Sequence, residues 1–228
     1  MIDFLRNNRI NLEEQINNLK VKVHSEYGRD HTKPLKFYLD FIKEDERYCL
    51  IDGVWHKFNQ SYVDFLEEEV DKIELNYDPS FDINTGIDEA QFNQDRVNDG
   101  FLNCDRELVS LDGRYKVEKM DLYKESALYF VKKGTPQKLS YVIDQAINTV
   151  KILQNNADSI VIDEKVINVK TICLWLILKR KDPIGKLSDI NSIIFHMKLV
   201  EWKKTLIDAG FTPLVNINYD WTEKDKHN

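Results

Sequence analysis

The sequence predicts an α/β (α+β) protein built on a mixed sheet, and three observations carry that expectation. The run "VKTICLWLILKR" is almost continuously apolar, the mark of a strand buried on both faces. Several short segments of alternating polarity precede it. Two long stretches with helical spacing flank it. In "KLSYVIDQAINTVKILQN", Leu139, Val142, Ile143, Ala146, Ile147, Val150 and Leu153 fall on one face, so this segment is a helix packed on the sheet. "DINSIIFHMKLVEWKKTLIDAG" is a second helix, closed by Gly210, and "FTPLVNINY" is a last strand.

From the N-terminus, apolar residues at Ile10, Leu12, Ile16, Leu19 and Val23 predict a helix over residues 9–27. "PLKFYLDFI" and "ERYCLIDGVWHKF" alternate as strands, the latter broken by a tight turn at Asp52-Gly53. Trp55 and Phe58 are expected in a core and His56 on the surface. "NQSYVDFLEEEVDKI" reads as a helix capped by Asn59 or Ser61, with Glu67, Glu68 and Glu69 on a solvated face. Residues 74–87 are rich in Asp, Asn, Pro and Gly and mark the expected boundary. The expected organisation is an N-terminal helix, β-hairpin and helix extension over 1–80, an α/β core over 81–220, and a tail over 221–228.

Within that core, the helix "DEAQFNQDRV" leads into strands "FLNCD", "ELVSL", "YKVEKMDLY" and "ALYFVKK". A β-meander then feeds a crossover helix and a buried inner strand. This is the element order of the restriction-endonuclease-like, or PD-(D/E)XK, core, although other mixed α/β domains share it.

Composition narrows the function classes. The 228 residues are 42% hydrophobic and 11% aromatic, enough for a packed core. No run approaches the roughly 20 apolar residues of a membrane helix, and "MIDFLRNNRINLEE" has no signal-peptide character. Cys49, Cys104 and Cys173 are scattered, which predicts a reducing, cytoplasmic setting and neither a zinc ribbon nor a disulfide framework. The net charge of −7 disfavours nonspecific nucleic-acid binding. The charge is uneven, however: residues 114–210 hold 17 Lys and Arg against 11 Asp and Glu, a local +6 that leaves −13 on the rest. A phosphate-bearing partner such as nucleic acid stays open, as does a protein partner or a homo-oligomer, while no membrane partner is expected.

The chemistry-bearing stretch is "VEKMDLYKESALYFVKKG", residues 117–134. Metal-dependent phosphodiesterases hold Mg²⁺ with carboxylates on a rigid strand pair, and a lysine beside them stabilises developing charge. Asp121 is the candidate principal metal ligand, with Glu118 as the second carboxylate and Lys132 as the catalytic lysine. Alternation turns Glu118 and Asp121 to opposite faces, so both reach one ion only across a bulge. Pairing the hairpin about Lys124, Glu125 and Ser126 sets Glu118 opposite Lys132, where a plain cross-strand ion pair accounts for both residues equally well. The acid that the nuclease signature places two residues before the lysine is absent: those positions are Phe130 and Val131. Glu89, on the preceding helix, and Gln145, on the following one, are the candidates to complete the site.

The order of "YCLIDGVWHKFNQSYVDFLEEEV", "DEAQFN", "LNCDRELV", "VEKMDLYKESALYFVKKG", "KLSYVIDQA" and "LSDINSIIFHMKLVEWKKTLIDAGF" resembles the C-terminal part of a sporadically distributed bacterial protein family of unknown function. That pattern falls on Asp52, Gly53 and Trp55; on Glu89, Phe92 and Asn93; on Glu118, Asp121 and Leu122; on Val131 and Lys132; and on Leu139, Ser140 and Gln145. The resemblance covers roughly residues 45–217, and its members are usually longer. It implies a role near restriction and phage-defence genes. It therefore favours a Mg²⁺-dependent nuclease, or a catalytically inactive nucleic-acid- or protein-binding module of the same fold.

Overall fold

The computed structural model describes residues 15–24, 30–39, 41–43, 47–51, 53–104, 108–111, 115–118, 120–155, 159–162, 165–180 and 182–222. The chain forms two compact units, Met1–Val63 and Asp64–Asn228. The boundary expected within residues 74–87 thus falls inside the second unit.

In the first unit, β1 (Lys20–Val23) pairs antiparallel with β2 (His31–Pro34), and a 3-10 turn over Leu35–Tyr38 follows. β3 (Phe41–Lys43), β4 (Tyr48–Ile51) and β5 (Val54–Lys57) make an antiparallel sheet. Two expectations are corrected here. Residues 20–23 are strand, because Val21 and Val23 alternate with lysines, so the helix expected over 9–27 does not extend through them. Its first residues, and those of 25–29, lie outside the described residues. Residues 35–38 turn because Pro34 ends the strand before them. Gly53 holds φ +73° at the hairpin tip, and a Cβ there would meet the Phe37 ring at 3.1 Å. Trp55, expected in a core, is 57% exposed.

Helix α1 (Gln60–Asp71) opens with the Asn59 side chain accepting the Tyr62 N–H at 2.8 Å, as expected for a cap. The second unit then contributes β6 (Glu74–Tyr77), α2 (Glu89–Asp95), β7 (Leu102–Asn103), β8 (Leu108–Leu111), β9 (Tyr115–Glu118), β10 (Leu122–Lys124) and β11 (Ala127–Gly134). It continues through α3 (Pro136–Asn155), β12 (Ser159–Ile162), β13 (Lys165–Asn168), β14 (Thr171–Leu178), α4 (Ile193–Asp208) and β15 (Thr212–Tyr219). A six-stranded mixed sheet runs β6-β15-β14-β11-β10-β7. Its parallel pairs are β11–β14, β14–β15 and β15–β6; β10 is antiparallel to both β11 and β7.

Parity explains the layers. Leu128 and Phe130 of β11, with Ile172, Leu174, Leu176 and Leu178 of β14, face one core with α3 and α4. Val131, Trp175 and Ile177 face the other side, where Phe92 of α2 and Phe101 pack. β14 is buried from Ile172 to Leu178, as its continuous apolar run requires. Each such aliphatic side chain stabilises by about 1.5–3 kcal/mol on burial. Glu69 is not simply solvated: it accepts from Lys203 at 2.9 Å and pairs with Lys72, and these partners hold its carboxyl down to about 2.

The meander differs from expectation in two places. Residues 74–77, read as loop, form the edge strand β6. Among the described residues, β8 and β9 lie outside the six-stranded sheet and pair with one another, so the meander proper is β7, β10 and β11. A further hairpin, β12–β13, interrupts the crossover between α3 and β14.

Candidate functional site at the open edge of β11

β11 is fully paired along one side and half paired along the other. Towards β14, all eight residues have partners. Towards β10, pairing stops at Leu122↔Tyr129, after three residue pairs. The upper half of that edge would leave backbone N–H groups without acceptors, which is costly in a buried place. Two carboxylates take over. Asp121, 6% exposed, accepts the Val131 N–H on Oδ2 at 2.6 Å. Glu89 accepts the Lys133 N–H on Oε2 at 2.9 Å, and its Oε1 accepts from Lys132 Nζ at 2.8 Å.

Local sequence puts each group in place. Asp121 is fixed by its own backbone, which donates to Tyr129 C=O at 3.0 Å and accepts from Cys104 N–H at 2.8 Å. Glu89 is the first residue of α2, whose cap Asp88 accepts the Gln91 N–H at 2.9 Å. Phe92 anchors the helix against Trp175, the ring centroids 5.2 Å apart and edge-on. By alternation Lys132 leaves the strand on the α3 side, and its long stem reaches round the open edge to Glu89.

Lys133 serves a second acid. Its Nζ donates to Ile87 C=O at 2.6 Å and lies 2.8 Å from Asp220 Oδ2, with the two side chains 14% and 1% exposed. Lys133 and Asp220 thus form a nearly buried ion pair. Burial pushes the Asp220 carboxyl up, but Lys133 and Thr222 more than offset it and leave it below its ordinary value.

Glu89 and Lys132 therefore meet, and Asp121 joins them along the same strand edge. Glu118 does not stand opposite Lys132. It pairs in register with Leu108 in the β8–β9 hairpin, so the cross-strand ion pair is replaced by Lys132–Glu89. Pairing of β10 with β11 ends at Leu122↔Tyr129, and the Asp121 carboxylate takes the Val131 N–H beyond it. Gln145 sits half-buried on α3, across the sheet from α2, and its carbonyl accepts from Thr149 at 3.3 Å. Phe130, where the signature wants an acid, is fully buried. Lys133 with Asp220 was not foreseen. An adjacent lysine pair on a buried strand was the available signal, since buried cations need partners.

The donors present are hard oxygens, the kind Mg²⁺ takes, but the two capping oxygens are poorly spaced for one ion. They bond N–H groups two residues apart, about 6.6 Å along a strand. Two ligands of one Mg²⁺ stand at most about 4.2 Å apart. A shared ion therefore needs another donor beside Asp121, or Glu89 acting through water. Among the described residues no three His, Cys, Asp or Glu side chains gather as a metal group.

The carboxyl ends of β11 and β14 open onto a cavity of about 370 Å³, lined by Gly134, Thr135 and Pro136 at the start of α3 and by Lys179, Arg180 and Asp189. Arg180 donates to Asp189 C=O at 3.1 Å, and the Asp189 carboxylate accepts the N–H groups of Gly185 and Lys186. No helix among the described residues is long and apolar enough to cross a membrane.

Fold and site together define a mixed α/β domain with an acid–lysine cluster on the unpaired edge of a central strand. The chain belongs to a family of unknown function, DUF6119, whose pattern matches residues 1–195. No curated protein and no solved structure matches it.

Proposed function

We propose that the second unit is a restriction-endonuclease-like domain whose Glu89–Asp121–Lys132 cluster serves divalent-metal-assisted hydrolysis of phosphodiesters. The observation that carries this reading is convergence: residues from α2, the turn before β10 and the middle of β11 meet at one strand edge. Mg²⁺ bound there supplies an activated water and neutralises phosphate charge. Asp121 is the principal anchor for the ion. Lys132, released from Glu89 by an incoming phosphate, holds the charge that develops on it. Glu89 keeps Lys132 in place until then. Action on nucleic acid in bacterial defence or mobile-element biology rests on the family resemblance, and a cytoplasmic setting on the scattered cysteines.

A second reading is a non-catalytic module that binds nucleic acid or protein. The spacing of the capping oxygens favours it, as does the buried Phe130 in the acid position. The cavity beside Lys179, Arg180 and the start of α3 gives it a place for an anion. A cleavage assay with purified chain, single- and double-stranded DNA and RNA, and Mg²⁺ or Mn²⁺ separates the two. Cleavage that Asp121→Asn abolishes upholds the first reading. Salt-sensitive binding without cleavage upholds the second.

A further inference from the structure

The cavity at the carboxyl ends of β11 and β14 lies outside the Glu89–Asp121–Lys132 cluster. Its volume of about 370 Å³ is near the lower end of the small-molecule range, about 300–1,000 Å³. The lining is of two kinds. Leu178, Ile190 and Pro136 make its apolar part, and the first two are buried. Lys179 and Arg180 bring positive charge to the same walls. Arg180 is held in place: Nη1 donates to Asp189 C=O at 3.1 Å, and among the described residues its other N–H groups have no acceptor. A guanidinium so anchored presents a planar fork of donors that fits phosphate oxygens. Lys138 is a third cation. A Cβ on Gly134 would stand 3.0 Å from Lys138 Cβ and Cδ, so the lysine stem lies down on the strand end that lines the cavity. Gly134, at φ +157°, leaves that place open. Lys138 is exposed and has no carboxylate partner among the described residues, which puts its ammonium at the rim. The acids nearby are otherwise engaged or turned away. Asp189 accepts the N–H groups of Gly185 and Lys186, and Asp220 pairs with Lys133. Asp182 is exposed in the loop beyond Arg180 and does not line the cavity, while Lys186 is taken by Asp71.

We propose that this cavity binds an organic phosphomonoester, its phosphate on Arg180, Lys179 and Lys138 and its organic body against Leu178, Ile190 and Pro136. A free nucleotide and the phosphorylated end of a nucleic-acid strand share that chemistry. The inference gives the binding reading above a ligand and rests on that reading for the use made of it. Charge selects the class. A phosphomonoester carries nearly two negative charges at neutral pH and three acceptor oxygens, which suits three cations, whereas a carboxylate would leave most of that charge unmatched. Bonds from ionised donors to phosphate are among the strong ones, and the guanidinium makes two at once. Part of the local +6 of residues 114–210 thus has a place to act.

The test is calorimetric titration of the full chain with adenosine monophosphate, with adenosine and inorganic phosphate as controls. Adenosine monophosphate is expected to bind, inorganic phosphate to bind more weakly for want of the apolar contact, and adenosine not to bind. Arg180→Ala should weaken binding at least about tenfold, and Arg180→Lys should restore only part of it. Should Arg180→Ala fail to fold by circular dichroism, Lys138→Glu on the exposed rim decides alone: weaker binding upholds the site, and equal binding overturns it. Adenosine that binds as tightly as its monophosphate overturns the site, as does a monophosphate affinity that Arg180→Ala leaves unchanged. An oligonucleotide with a terminal phosphate that outcompetes the mononucleotide upholds the site with the strand end as its ligand; the reverse order upholds it for the free nucleotide. Salt-sensitive binding of DNA or RNA by a chain that does not bind the monophosphate overturns this site and leaves the binding reading standing. Monophosphate binding by a chain that binds neither DNA nor RNA upholds the site and removes nucleic acid from that reading.

Discussion

The two edges of β11 show two ways of satisfying one strand. Towards β14 the backbone is matched by backbone for its whole length, and the side chains are free to be apolar. Towards β10 the match ends at Tyr129, and Asp121 and Glu89 accept the next two edge N–H groups. The first edge makes a core, while the second concentrates charge where a strand is missing. A carboxylate that looks catalytic can therefore have a structural duty at the same time, and substitutions must separate the two.

The comparison breaks most severely at the shared support. Trp175 packs edge-on or tilted against Phe81, Phe92, Phe101 and Tyr129. Trp175→Ala should destabilise by about 3–5 kcal/mol in urea unfolding and loosen α2, taking Glu89 from its strand. Next comes the open edge itself. Asp121→Ala strands the Val131 N–H and should cost about 1–3 kcal/mol, whereas Asp121→Asn keeps an acceptor and should cost clearly less. Hydrogen exchange at the Val131 amide should quicken in the alanine variant alone; equal exchange in both would show that the carboxylate is not the acceptor.

A smaller effect sharpens the contrast. The Lys132–Glu89 pair is about one-third exposed on each side. Lys132→Met should therefore change stability by no more than about 1 kcal/mol. Glu89→Ala should cost more than Lys132→Met, since it also leaves the Lys133 amide without its acceptor. The reverse order in denaturant midpoints would mean that charge, rather than backbone capping, governs this edge.

The smallest expected effect lies away from β11. His196 is buried in α4, and burial holds its pKa below 6.5 against the opposing pull of the Ile190 and Leu187 carbonyls and of Glu67 and Asp71 on α1. The unfolded chain then binds more protons than the folded one, so stability should fall as pH drops through about 6.5 towards the lowered native value. His196→Gln should flatten that part of a urea-midpoint profile between pH 5 and 8. An unchanged slope would assign it to other groups.

Much of the second unit was legible because its signals are local. The apolar run of β14 has no reading but a strand covered on both faces, and the 3.6-residue spacing of Leu139 to Leu153 has none but a helix on that sheet. Gly210, at φ +83°, closes α4 where the sequence placed its end. The candidates Glu89, Asp121 and Lys132 were also nameable, since acids and lysines among apolar strands demand partners. Which partner each takes was not. Strand alternation gives only a face, so Glu118 and Lys132 looked paired, whereas β9, which carries Glu118, pairs with β8 outside the six-stranded sheet. Trp55 misled for a related reason, because residue type sets a preference for burial and only neighbouring elements supply the cover. Pairing along an edge depends on where a neighbouring strand stops, and that is set by packing between segments more than 40 residues apart, Glu89 with Lys132 and Trp175 with Asn218. Periodicity along the chain fixes what a segment can become; contacts between distant segments decide which of its polar groups are left to meet.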